Sequence, residues 1–372
     1  MTSRGHSSVN TVGNDGTVAL EERIRRVLAI HFDPEQGAPF WIAKAEHLGF
    51  HPAAEIHRVA DLARFPAMDP KELAALPFEA LLPRTVLSRR AELVIAQTSG
   101  TLGRPAWTAY LEREFHAAFV EPFVVAASHL GFPVGGTWLY VGPSGPHIIG
   151  RAADAIARAM GGAMPFTVDF DPRWARKLKS GSFAAQRYLH HVVAQSLEVL
   201  DGHEITVLFS TPVVIRTLAQ AMHPDQRRRI RGVHYGGMAI APEEMKLLQS
   251  DVFPEAVHLS GYGNTLFGCS LELNLVLGRE LKYFPHGDRL LFGVWGQGGD
   301  DGGGPMYGRV GSEGPLVFSR LDETVLLLNV VERDAVRLCE PPADAPAGFG
   351  QMGVASPVPR MENRSKVAVS LY

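Results

Sequence analysis

Between residues 93 and 235 the hydrophobic period of the chain switches back and forth, and this alternation restricts the fold more than any other feature. Leu93 to Gln97, Thr137 to Gly142, Ile205 to Ser210 and Gly232 to Tyr235 are short apolar runs of strand length. Between them, Arg151 to Met160 and Phe183 to Leu200 carry helical stripes. In the second, Tyr188, Val192, Val193, Leu197 and Leu200 recur at helical spacing. Strands alternating with helices predict an α/β fold with layered, largely parallel sheets. After Gly268 the pattern changes to short alternating strands, including Arg289 to Trp295 and Gly314 to Arg320. That part predicts a small β-rich subdomain. The run Gly298 to Pro305 reads there as a mobile hairpin loop, because no helix signal follows it to make a phosphate cradle.

The region before the alternation is helical in period from Ala19 to Ala63, and Asp69-Pro70 is a helix start with Asp69 as the cap. Residues 1–17, rich in Ser, Gly, Asn and Thr, are expected to form a mobile tail. The folded part is then one large domain over 18–372, with α/β layers to about residue 268 and the β-rich subdomain over 269–372.

Composition closes off several classes. Of 372 residues, 46% are hydrophobic and 20% charged, which excludes wholesale disorder. Two distant cysteines, Cys269 and Cys339, leave no disulfide framework and no Cys-rich zinc cluster. The 36 basic and 39 acidic residues give a net charge of -3, without the basic surplus that binding to nucleic acid calls for. The most apolar stretch, Phe115 to Val134, is interrupted by Glu121 and His129, and no signal peptide is evident. A soluble cytoplasmic protein with neither nucleic-acid nor membrane partner is expected.

The strongest local signal directly follows the first strand: Gln97-Thr98-Ser99-Gly100-Thr101-Leu102-Gly103-Arg104-Pro105. Glycines let backbone N–H groups converge on phosphate oxygens, the hydroxyls add donors, and Arg104 adds charge. The spacing is not that of a Walker A loop, so composition alone leaves both a surface turn and a triphosphate cradle open. Three later segments are also distinctive: Tyr235-Gly236-Gly237-Met238-Ala239-Ile240-Ala241-Pro242-Glu243-Glu244, Leu259-Ser260-Gly261-Tyr262-Gly263-Asn264-Thr265-Leu266, and Glu332-Arg333-Asp334. Taken singly, Tyr262 is an ordinary half-buried aromatic and Asp334 a turn residue or cap. The adjacent His190-His191 pair points in different directions on a helix, and no metal site is expected there or elsewhere. Trp138 and Tyr140 either line a pocket or fill the core, and Cys269 reads as a small buried apolar residue.

In order, these four segments resemble the motifs of the adenylate-forming superfamily, particularly its phenylacetate-CoA ligase branch. The resemblance implies the layered αβαβα large domain of those enzymes. It also implies that Thr98, Ser99, Gly100, Thr101, Gly103 and Arg104 meet the ATP β and γ phosphates. Gly237, Met238 and Ala239 would lie along adenine and substrate, with Gly261, Tyr262, Gly263 and Asn264 beside adenine. Thr265 would meet the α-phosphate, and Asp334 would accept hydrogen bonds from both ribose hydroxyls. Arg104 and Thr265 are the expected catalytic residues. His147, Tyr235 and Gly236 would border the pocket for a carboxylic acid, although His147 reads equally well as a loop histidine.

Two positions depart from the family pattern. Leu266 stands where the family has a magnesium-holding glutamate, so magnesium is expected to ride mainly on the ATP phosphates. Arg360 to Lys366 resembles the hinge that precedes a small C-terminal domain, and the chain stops six residues beyond Lys366. The expectation is a short form without that domain, which activates an acid as its acyl adenylate and passes it to a reductase or an acyl-accepting partner protein rather than to CoA. Of two short forms of this size, the chain resembles the phenazine-dicarboxylate activating family of griseoluteic acid biosynthesis more, and that resemblance implies an aromatic substrate and antibiotic biosynthesis. The alternatives are a fatty acyl-protein synthetase-like activator, as in bacterial luciferase systems, or a degenerate nucleotide-binding protein. The oligomeric state stays open, a homodimer included.

Overall fold

The computed structural model describes residues 12–98, 100, 103–179, 181–274, 276–296 and 303–360, with side chains from residue 18 onward. Its centre is a six-stranded sheet in the order β4-β3-β5-β6-β7-β8. The strands are β3 (Trp138–Val141), β4 (Phe166–Val168), β5 (Val207–Ser210), β6 (Gly232–Tyr235), β7 (Val257–Asn264) and β8 (Gly268–Leu271). All neighbours are parallel except β7 and β8, which form an antiparallel pair. Every residue of β3, β5 and β6 is buried, so these strands lack polar alternation for the physical reason that helices cover both faces. The crossovers include the helices Ile148–Ala159, Phe183–Gly202 and Pro212–Ala221. The α/β architecture expected from the alternation is present.

The first apolar run behaves differently from the others. β1 (Leu93–Gln97) pairs antiparallel with β2 (Trp107–Leu111), with Gln97 opposite Trp107. The expectation of a parallel strand there is corrected by chain length: residues 98–106 can close a hairpin but cannot carry a crossover. Gln97 N–H donates to Pro146 O at 2.8 Å, which ties the hairpin to the loop after β3.

A second six-stranded sheet, entirely antiparallel, has the order β11-β10-β12-β13-β14-β9. It consists of β9 (Lys282–Tyr283), β10 (Leu290–Gly296), β11 (Gly304–Tyr307), β12 (Glu313–Leu321), β13 (Leu326–Cys339) and β14 (Gly353–Pro359). Residues 298–302 of the Gly/Asp run, expected to form a hairpin loop, lie outside the described residues; the flanking strands β10 and β11 pair antiparallel.

The N-terminal helical region packs on this second sheet. Arg23 Nη1 donates to Leu321 O at 3.2 Å, Trp41 Nε1 to Leu326 O at 3.0 Å, and Asn329 Nδ2 to Leu62 O at 2.8 Å and Phe65 O at 2.9 Å. The first helix, Val12–His31, starts inside the segment expected to be a tail. Its packed stripe of Leu20, Ile24, Val27 and Leu28 supplies a nucleus, and extending a formed helix costs little per residue. Residues 1–11 lie outside the described residues.

Two fully buried histidines make the fold sensitive to acid. Burial pushes the His31 and His234 imidazoles down to about 4, against the partly compensating backbone acceptors Asp322 O and Leu259 O. The unfolded chain therefore takes up their protons first. Stability is complete above pH 6.5 and declines as pH falls toward 4, by about 3 kcal/mol per histidine. Glu272 works in the opposite sense, since burial raises its carboxyl to about 7 and its stabilising protonation is lost as pH rises from 4.5. Thermal midpoints should fall between pH 6.5 and 4.5, and more steeply in Glu272→Gln. An unchanged slope in that variant would show the assignment to be wrong.

Candidate active site

Four segments far apart in the chain line one cleft of about 860 Å³. The first wall is the turn of the β1–β2 hairpin. Thr98 N–H donates to Ala106 O, and Ala106 N–H donates to Thr98 Oγ1, both at 2.9 Å, which closes the turn across its base. Gly100 has φ +67, and a Cβ there would lie 2.7 Å from Pro105 Cγ and 2.8 Å from Gly103 O. Only glycine suits that point of the turn. Thr98, Gly100, Gly103 and Arg104 line the cleft, while Ser99 and Thr101 lie outside the described residues. Arg104 is exposed at the rim.

The second wall comes from the C-terminal ends of the parallel strands, where chain direction changes leave room for ligands in open α/β sheets. Gly237, Met238 and Ala239 follow β6, and Gly261 to Leu266 run from the end of β7 into the turn before β8. Tyr262 O–H donates to Asp334 Oδ2 at 2.9 Å, and Asn264 Nδ2 donates to Glu332 Oε1 at 2.5 Å. Asn264 Oδ1 also accepts from Leu266 N–H at 2.8 Å and Phe267 N–H at 3.1 Å, so one side chain fixes both the turn and the facing strand β13. The Tyr262 ring lies between Phe267, 6.0 Å away, and Tyr283, 5.7 Å away. Burial, reinforced by the carboxylates of Asp334 and Glu332, pushes its phenol well above the ordinary range and keeps it a hydrogen-bond donor. Burial also raises the Glu332 carboxyl, and neighbouring Asp334 adds to the effect.

Behind this wall sits a charged cluster with no access to solvent. Arg289 and Arg320 both donate to the Asp322 carboxylate, at 2.6 Å for the Arg289 Nη2 and Arg320 Nε bonds. Two further donors reach the site turn, Arg320 Nη1 to Leu266 O at 3.1 Å and Arg289 Nη1 to Phe267 O at 2.6 Å, while Arg320 Nη2 donates to Ala109 O at 2.7 Å. Tyr110 O–H holds the next carbonyl, Thr265 O, at 2.8 Å, and the Arg320 guanidinium stacks 3.6 Å above the Tyr110 ring. Three consecutive carbonyls are thus fixed from behind, which orients Thr265 toward the cleft.

At the other end, His147, Ile148 and Ile149 line the cleft at the start of the helix after β3. His147 is only 6% exposed, and among the described residues its Nε2 has no hydrogen-bond partner. Burial lowers its pKa, with Arg173 next in effect, so the ring is neutral at pH 7.

Of the expected acid-binding residues, Tyr235 and Gly236 do not line the cleft. Tyr235 is fully buried, its hydroxyl 2.8 Å from His258 Nδ1. Strand β6 is enclosed on both faces, so its last side chain points into the core. Gly236 packs under the cleft instead, with Phe209 Cε2 3.3 Å from where a Cβ would stand. Trp138 and Tyr140 belong to the core as well. Cys269 is half-buried, with Sγ 3.4 Å from Ala118 O, and burial pushes its thiol up to about 12, so it is inert. Arg360 lines the cleft, whereas Met361 to Lys366 of the hinge-like segment lie outside the described residues.

Several lining residues carried no role in the sequence reading: Lys71, Arg176, Glu332, Arg333 and Arg360. Glu332 had a usable signal, since it lies two residues before Asp334 on a strand and so shares its face.

No protein-family model matches the chain, and no curated protein sequence matches it. Solved structures do. 2-Hydroxyisobutyryl-CoA ligase, in complex with 2-HIB-AMP and CoA in its thioesterification state, superposes with a TM-score of 0.64 at 16% identity, covering 93% of this chain and 68% of that one. The chain has the fold of the adenylate-forming ligases. An open conformation of the same ligase, also with 2-HIB-AMP and CoA, gives a TM-score of 0.61 at 16% identity over 90% of this chain and 67% of that one. Its postadenylation state with R3-HIB-AMP gives 0.62 at 16% identity over 92% and 67%. In this fold the layered parallel sheet is the scaffold, and the cleft opens where its strand ends meet the antiparallel sheet. Among the described residues no helix is long and apolar enough to cross a membrane.

Proposed function

We propose that the protein activates a carboxylic acid with ATP as an acyl adenylate. The observation that carries this reading is the convergence of Thr98, Gly100, Gly103, Arg104, residues 237–239, residues 261–265 and Asp334 on one cleft of this fold. A carboxylate oxygen attacks the α-phosphorus, the bond from that phosphorus to the bridging oxygen of the β-phosphate breaks, and pyrophosphate leaves with the electron pair. Activation is needed because the leaving oxygen of a free carboxylate is strongly basic. The protein's part is positioning and charge neutralisation. The hairpin turn with Arg104 receives the β and γ phosphates, Thr265 meets the α-phosphate, and Tyr262 and residues 237–239 flank adenine. Asp334, already aligned by Tyr262, receives the ribose hydroxyls.

Leu266, 6% exposed, offers no oxygen to a cation, so the oxygens that suit magnesium here are the Thr265 hydroxyl and the Glu332 carboxylate. One or two protein oxygens with waters and phosphates fit this ion's habit. Bound there, it would neutralise phosphate charge and make the α-phosphorus more electrophilic.

The acid end, with neutral His147 beside Ile148 and Ile149, suits a planar aromatic carboxylate of the phenazine type, which is the substrate class we favour. The acyl group then passes to a reductase or an acyl-accepting protein. The test is exchange of labelled pyrophosphate into ATP across a panel of aromatic and fatty acids. Exchange with aromatic acids is the expected result. The buried Leu266 favours one competing reading, a nucleotide-binding protein without turnover, for which AMP would bind tightly and no acid would support exchange.

A further inference from the structure

We propose that Lys71 is a phosphate-binding residue of this cleft, brought by the N-terminal helical region into the same lining as Arg104. Among the described residues, Lys71 supplies the one ammonium group of the lining. It lies in the helix Pro70–Ala75, whose cap, Asp69 Oδ1, accepts from Lys71 N–H at 2.8 Å. The backbone is therefore fixed while the side chain is not. Among the described residues its ammonium has no ion-pair or hydrogen-bond partner, and the residue is exposed.

The position of this helix is set by the residue just before its cap. Met68 N–H donates to Asn329 O at 3.1 Å, and Val331 N–H donates to Met68 O at 3.4 Å. Those contacts place Asp69, Pro70 and Lys71 in the wall beside Glu332 and Asp334. Ala74 and Ala75 complete that wall, and their small side chains leave the long lysine room to reach into the cleft.

Charge pairing around Lys71 gives the argument its direction. The nearby carboxylates are engaged by other groups: Asp69 by the Lys71 backbone N–H, Glu72 by Lys44 at 3.0 Å, Glu332 by Asn264, and Asp334 by Tyr262 and Arg333. Lys71 and Arg104 are two cations without an ion pair among the described residues, projected from different elements into one cavity. A ligand carrying separated negative charges, such as a polyphosphate, satisfies both. This deepens the adenylation reading by adding a cation from a segment that none of the four motifs contains.

The test is calorimetric titration of inorganic pyrophosphate into the full chain. Binding should weaken about tenfold or more in Lys71→Gln, the size of one charge-assisted hydrogen bond. Lys71→Arg should restore it to within about threefold, since charge is retained. Lys246→Gln, which removes an exposed lysine outside the cleft, should leave binding unchanged, and thermal midpoints of all three variants should match the parent. The proposal is overturned if the parent protein fails to bind pyrophosphate, if Lys71→Gln binds as the parent does, or if Lys246→Gln loses as much. Acid-dependent exchange in the parent separates this outcome from the broader one. Silent exchange with Lys71-dependent pyrophosphate binding overturns adenylation and keeps the phosphate site; active exchange with an indifferent Lys71→Gln does the reverse.

Discussion

Replacing Asp322 with alanine should destabilise the protein by about 3–5 kcal/mol, because it leaves two buried guanidinium groups with no counter-charge. Arg320 and Asp322 are fully buried and Arg289 is 4% exposed. Burial alone would raise the Asp322 carboxyl, yet Arg289 and Arg320 outweigh it and hold it below the usual carboxylate range. The consequence is not confined to stability. Both arginines also hold carbonyls of the site turn, so a collapse of the cluster frees Leu266 and Phe267 and with them Thr265. Urea unfolding of Asp322→Ala and Asp322→Asn tests the argument, since the amide keeps an acceptor and should lose less. A loss below about 1 kcal/mol in Asp322→Ala would mean that the charge pairing does not hold the cluster together, and equal losses in the two variants would mean that the acceptor kept by the amide contributes nothing.

That cluster also marks the limit of what the sequence discloses. The alternation of strand and helix periods located β3, β5 and β6 to within two residues at either end, because a parallel sheet covered on both faces must be written in continuous apolar runs. Hydrophobic period says nothing about pairing, and so β1 looked like one more of the same four runs although it is half of a hairpin. Motif order brought together Thr98, Gly237, Tyr262 and Asp334, residues whose local chemistry is unusual enough to stand out. It failed at Tyr235, where the last side chain of the strand points into the core while the backbone beyond it turns into the cleft. Lys71 was unreadable for a different reason. Nothing in the helix Pro70–Ala75 announces a ligand, and its place in the site follows from the Met68 contacts to Asn329 and Val331, some 260 residues away. Long-range packing of this kind has no local signature. Arg289, Arg320 and Asp322 likewise look like ordinary surface charges until the sheet β12–β13 and the hairpin β1–β2 enclose them.

Asp334 carries the second large expectation: Asp334→Ala should weaken ATP binding by about 100-fold or more. A carboxylate that accepts from two ribose hydroxyls makes two charge-assisted hydrogen bonds, each worth about 1.5–3 kcal/mol, and part of that is recovered by water in the variant. Asp334 is 7% exposed, Tyr262 O–H holds its Oδ2 at 2.9 Å, and Arg333 Nε lies 3.6 Å from its Oδ1, so the carboxylate is oriented before any ligand arrives. This preorganisation is why the loss should appear in binding rather than in folding. Two controls distinguish ribose recognition from general damage. Tyr262→Phe removes the orienting hydroxyl but keeps the ring, and should weaken ATP by about tenfold while leaving the ring itself in place. Nucleotides lacking the 2′ or 3′ hydroxyl should bind the parent protein more weakly than ATP, yet bind Asp334→Ala no more weakly than ATP does, because the interaction they delete is already gone. If the deoxy analogues lose equally in both proteins, the carboxylate does not touch the ribose. Its bond to Tyr262 would then be a structural link between β7 and β13, and the adenine end of the cleft would have to be assigned to other residues.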